Sequence, residues 1–154
     1  MRKEKMLPMA GLIGAGLIIL SSVISAFLYV GKYGEQYSFL NHFISELGEA
    51  GVSKGATVFN AGLFLGGLFL TFFMTGVATY LGGWFGILFG VVSVVTGLSG
   101  ALVGIFPMNN LTQHMRVALT FFYSGMVTTI LFSVYVLFSN QEKFHKLKIG
   151  RAHV

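Results

Sequence analysis

The chain contains no cysteine, two prolines, and only ten basic and five acidic residues among its 154. Without cysteine there is no disulfide, no iron–sulfur ligation and no thiolate catalysis, whichever redox compartment the protein faces. Charge is sparse and also segregated. No Asp, Glu, Lys, Arg or His falls within Leu7 to Gly31, Thr57 to Leu81, Trp84 to Phe106 or Val117 to Phe138. A hydrocarbon core about 30 Å thick needs roughly 20 apolar residues at helical rise, and all four runs reach that length.

What is present is therefore an integral membrane protein. Lipid offers the backbone no hydrogen bonds, so a span satisfies its own amides, and the alternating pattern of barrel strands is absent. The expected fold is all-α, a polytopic transmembrane helical bundle forming one domain over residues 1–147. The first run follows Arg2, Lys3 and Lys5 as a signal peptide would. It is too long for a signal core, lacks a clear cleavage site and is read as a retained span.

The last seven residues, Lys148 to Val154, match the translation of a widely used sequencing-library adapter. On that reading the natural chain continues past Leu147 and residues 148–154 carry no biology. The formal charge of +5 then loses two cations, and the basic balance is no argument for a nucleic-acid partner.

Arg2, Lys3, Lys5, Lys143 and Lys146 fall on one side of a four-span chain, and Lys32, Lys54 and Arg116 on the other. The positive-inside bias, weighted to the first span, puts both ends of this fragment in the cytoplasm and the connection from Lys32 to Ala56 outside the cell membrane. Spans two and three meet at Gly82-Gly83, a tight hairpin flanked by Tyr80 and Trp84. Small residues recur along span three at Gly82, Gly86, Gly90, Ser93, Gly97, Gly100 and Gly104. This seam allows close helix approach, either within the bundle, with Gly62 and Gly66 of span two opposite, or as the interface of a homo-oligomer.

The long connection holds the most informative local pattern. At about 100° per residue, Phe39, Leu40, Phe43, Ile44 and Leu47 share one arc, and Ser38, Asn41, His42, Ser45, Glu46 and Glu49 fill the opposite one. This predicts an amphipathic surface helix over residues 38–47. Asn60 lies near the same end of span two. Asn110 to Gln113 reads as a helix N-cap with glutamine at the third position, which places His114 and Arg116 in the first turns of helix four.

His42, Glu46, Asn60, His114, Ser45 and Arg116 thus share one depth, with Asn41 and Asn109 beside them. Three roles compete: hydrogen bonds that pin the surface segment, a site for a lipid headgroup contacted by Asn41, Ser45, Asn60 and Arg116, or catalysis. For catalysis His42 or His114 is the candidate general base with Glu46 orienting it; alternatively His42, Glu46 and His114 are candidate ligands of a divalent metal. No HExxH, GxSxG or Walker pattern occurs, and no other cofactor is implied. The sequon Asn110-Leu111-Thr112 lies too near the membrane to weigh. A transporter ranks lower, because the span interiors hold no ionisable group.

The string Asn41-His42-Phe43-Ile44-Ser45-Glu46-Leu47-Gly48, then Phe59-Asn60, Val103-Gly104-Ile105-Phe106-Pro107 and His114, resembles the uncharacterised prokaryotic membrane family called domain of unknown function 998. At Ile44 to Gly48 the chain is also distantly similar to the damage-regulated autophagy modulator group. The resemblance implies about six spans and no assigned reaction, so the four seen here agree with a truncated chain. It supplies no catalytic residue.

Overall fold

The computed structural model describes residues 3–139; the adapter-like segment 148–154 and Arg2, Lys143 and Lys146 of the charge count lie outside them. Four long helices make up the bundle: α1 (Lys3–Leu28), α2 (Ala56–Leu81), α3 (Gly83–Ile105) and α4 (Leu111–Phe138). Each has the length and hydropathy of a membrane span, and among the described residues there is no strand. Two short 3₁₀ turns, Ile44–Gly48 and Met108–Asn110, lie at the end of the bundle opposite the chain's start, here called the loop end.

Helix order in space follows the chain. α1 packs on α2, α2 on α3 and α3 on α4, while α1 and α4 do not pack on each other. The central pair is joined by Gly82 and Gly83, both with positive φ (68° and 58°). Two successive residues in that region explain a Gly-Gly pair at this turn. The amide of Gly82 closes α2 on the carbonyl of Ala78 at 3.2 Å.

Glycines decide which faces meet. Gly62 and Gly66 turn toward α1, against Ser21 and Leu17 and against Ile18 and Gly14, so they are not the positions opposite the α3 seam that the spacing suggested. Gly67 faces α3 instead: a Cβ there would lie 2.8 Å from the Cα of Ala101. The one-residue step from Gly66 to Gly67 lets α2 present a bare backbone on two sides at one depth. In the α3 seam Gly104 meets the Asn60 backbone, Gly97 meets Thr71, Gly86 and Gly90 meet Ala78, and Gly100 faces the Phe121 ring of α4. At the hairpin end the seam also borders an open apolar groove with Thr79, Ile87 and Val91.

The surface segment departs from the predicted helix over residues 38–47. Asn41 and His42 donate their amides to the Ser38 carbonyl (3.1 and 3.0 Å) in one isolated turn. Phe43 is extended (φ −73°, ψ 144°), and a single 3₁₀ turn follows from Ile44. Side chains here compete for the backbone, as short polar residues do: the Ser38 amide donates to His42 Nδ1 (3.1 Å) and the Phe43 amide to Glu46 Oε1 (2.8 Å). Leu47 is buried, whereas Phe39, Leu40 and Phe43 stand exposed.

Because a Cβ on Gly67 meets backbone that no rotamer change can move, Gly67→Val is expected to destabilise the α2–α3 pair by about 1–3 kcal/mol. Gly16, with open space around its Cα, serves as the control, and Gly16→Ala is expected to cost nothing. Thermal unfolding of the two variants in detergent checks the contrast; equal melting temperatures would contradict the packing.

Candidate functional site at the loop end

Tyr29, Leu47 and Phe59 form the buried cluster at the loop end, bringing together α1, the 3₁₀ turn and α2. Glu46 ties this cluster to the turn above it. One carboxylate oxygen accepts from the Phe43 amide and the other from Tyr29 Oη at 3.2 Å. Burial and the adjacent Glu46 carboxylate push the Tyr29 phenol up to about 12, so it remains a donor throughout the physiological range. Glu46 is thus a helix-capping and anchoring residue, with both oxygens engaged.

His42 does not share Glu46. Its ring packs against Tyr29 edge-on (centroids 5.2 Å) and stacks with Tyr37 (5.7 Å). Its Nδ1 lies 3.1 Å from the Ser38 amide and 3.3 Å from the Ser38 carbonyl, and its Nε2 faces Glu35 Oε1 at 3.9 Å. Backbone amides, its own and that of Tyr33, together with His42 hold the Glu35 carboxyl below the usual carboxylate range. Glu35 is a residue that sequence reasoning missed. Its only signal was the neighbouring Gly34, whose positive φ (85°) turns the chain back.

His114 lies elsewhere, buried on α4. Its Nδ1 bonds the Phe106 carbonyl at 2.8 Å, one of the orphan carbonyls at the end of α3. The carbonyl can only accept, so Nδ1 carries the proton and the neutral ring's Nε2 keeps its lone pair. Among the described residues no three His, Cys, Asp or Glu side chains are grouped to hold a metal ion. The arrangement therefore does not assemble the suggested set His42, Glu46 and His114, either as ligands or as a shared acid–base pair. The physical reason is that each is already committed to a different backbone group.

The other candidates divide in the same way. Asn60 Nδ2 donates to the Gly48 carbonyl at 2.9 Å, and Asn41 Nδ2 to Ser38 Oγ at 3.2 Å. Asn109 makes a two-point bond to the backbone of one residue, donating to the Ala50 carbonyl (2.9 Å) and accepting from the Ala50 amide (2.8 Å). Pinning of the segment thus runs from the side-chain amides of Asn60 and Asn109 to backbone groups. Arg116 is exposed, about 200° around α4 from His114, and does not join the site.

Only Ser45 and His114 of the predicted set border the same space. A cavity of about 350 Å³ lies between α1 and α4, floored by α2 and α3 and roofed at the loop end by Ile44 and Ser45. It runs inward past Phe59, Leu63, Thr96 and Gly100 to Ser93 and Thr128. Thr96 and Thr128 bond each other at 3.1 Å, while the Ser93 hydroxyl, on a side chain 1% exposed, has no partner. No charged side chain lines the cavity.

Asn109→Ala is expected to free the Ala50 peptide at a cost of about 1 kcal/mol, because the lost bonds are solvent-exposed. Trypsin should then cut faster at Lys32 and Lys54. Asn109→Asp, which keeps the acceptor and loses the donor, should fall between the two. A cleavage rate unchanged in Asn109→Ala would show that the clamp does not hold the loop.

No curated protein and no solved structure matches the chain. A profile of one protein family, described as "Protein of unknown function (DUF998)", matches residues 12–148. That match covers α1 from its third turn to the end of α4 and includes the whole loop end, so the chain, with its four membrane-length helices among the described residues, belongs to the DUF998 family.

Proposed function

We propose that this protein is a non-catalytic lipid-binding membrane protein that takes an acyl chain into the cavity between α1 and α4, with the polar end of the lipid at Ser45 and His114. The observation that carries this reading is the cavity itself: two lipid-facing helices that do not pack on each other, with an uncharged space between them. Its volume is at the lower end of the range for small-molecule sites. At 1.5 Å per residue, its reach from His114 to Thr128 along α4 is about 20 Å. That exceeds half of a hydrocarbon core about 30 Å thick, so the space is as deep as one leaflet. Apolar walls at that depth favour hydrocarbon over water, and the roof offers a hydroxyl and an imidazole to a headgroup.

Filling the space tests the reading. Ala118, which lines only this cavity, is small enough that Ala118→Trp would occupy much of it. Native mass spectrometry of the full chain with one-chain lysophosphatidylglycerol is expected to show one bound lipid fewer in Ala118→Trp than in the wild type. Equal occupancy would remove the cavity as the site.

We further propose that the loop end faces the outside of the cell membrane, with the first span's basic flank and the end of α4 in the cytoplasm, as the distribution of lysine and arginine supports. Ser53 is buried and unsuitable for labelling, whereas Lys54 is exposed. In intact cells a membrane-impermeant thiol reagent should label Lys54→Cys and spare Ser139→Cys. The reverse pattern would invert the topology.

A further inference from the structure

A second cavity, of about 730 Å³, lies on the other side of α1 beneath the connecting segment. Its walls are Ile19, Val23, Ala26 and Phe27 of α1, and its upper rim carries Tyr29, Gln36 and Tyr37. Like the first, it has no charged side chain in its lining. From Tyr29 down to Ile18 it extends about 17 Å along α1, again the depth of one leaflet. The two cavities share three wall residues, Ile18, Ser22 and Ile44. Ile18 and Ser22 are one helical turn apart on α1, and Ile44 closes both spaces at the loop end. The result is a forked space: two apolar pockets in the same leaflet, divided by one ridge, each with polar groups at its mouth. Ser45 and His114 stand at one mouth, and Gln36 and Tyr37 at the other.

We propose that one diacyl lipid sits astride Ile44, with one chain in each cavity and its glycerol and headgroup above the ridge. This rests on the lipid-binding reading above and names the class of lipid. The shared wall makes the two pockets close enough for chains that leave a single glycerol. Equal leaflet depth suits two chains that start at one level. The uncharged linings assign recognition inside the two cavities to the number of chains.

The test uses the purified full chain in detergent, with phosphatidylglycerol carrying two oleoyl chains, its one-chain lyso form, and phosphatidylcholine with the same two chains. Bound lipid is counted by native mass spectrometry. The expected result is one diacyl lipid per wild-type chain, or two lyso molecules, and similar binding of the two diacyl headgroups. Ala118→Trp and Val23→Trp, each confined to one cavity, should both weaken binding of the same diacyl lipid about tenfold, equivalent to about 1.4 kcal/mol. Each should remove only one of the two lyso molecules.

Two diacyl lipids per chain, each lost to its own variant, would mean two independent sites and overturn the proposal. So would loss of the diacyl lipid in Ala118→Trp with none in Val23→Trp, an outcome that leaves the α1–α4 site standing. If neither diacyl nor lyso lipid binds the wild type, the lipid-binding reading itself fails. Wild-type stoichiometry requires no substitution, so a variant that does not fold leaves the proposal decidable.

Discussion

The bundle depends on close backbone approach at α2. In lipid, burying apolar side chains between helices yields little, because the hydrocarbon they leave is as apolar as the interface they join. Dispersion contacts and hydrogen bonds are what remain, and both require short distances. α2 meets that requirement on two sides, with Gly62 and Gly66 receiving α1 and Gly67 receiving α3. With α2 between α1 and α3, and α3 between α2 and α4, α1 and α4 stay apart. The cavity between them is thus a consequence of which helix carries the glycines.

At the loop end the controlling interactions are polar and directed at the backbone. Ser25 Oγ donates to the Gly55 carbonyl (2.9 Å), Asn60 to Gly48, Asn109 to Ala50 and His114 to Phe106. Apart from the Gly55 carbonyl, which also accepts the Phe59 amide, each satisfies a peptide group in a segment that has too little regular structure to satisfy itself. The Lys32–Glu49 ion pair at 3.1 Å adds an exposed and therefore weak tie. This mesh carries Ile44 and Ser45 out over the cavities. A segment held by side-chain amides can follow an irregular path that a regular helix could not, and that path gives the site its roof.

The surface segment shows where a periodic pattern misleads. Phe39, Leu40, Phe43, Ile44 and Leu47 lie on one arc only if the chain is helical throughout, and His42 and Glu46 use their side chains to bond the Ser38 and Phe43 amides of two separate turns instead. Hydrophobic periodicity records a compatible face; it does not weigh local competition for backbone groups. The spacing of candidate residues failed for a related reason. His42, Glu46 and His114 each spend their polar atoms on a different backbone group, those of Ser38, Phe43 and Phe106. Asn60 and His114 were recognisable as polar groups that need partners, although their partners, two carbonyls, have no sequence signature.

The sequence by itself determined that the described residues form four membrane-length helices with a tight Gly-Gly hairpin and a helix four capped by Asn110, because hydropathy, length and capping are local properties. It also marked small residues as contact surfaces. Only the tertiary structure decided which glycine faces which helix, that α1 and α4 stay apart, that Glu35 and not Glu46 lies beside His42, and that two cavities meet at Ile44. Those outcomes depend on helix rotation and on the course of an irregular loop. Both are set by the sum of many weak contacts between segments distant in sequence.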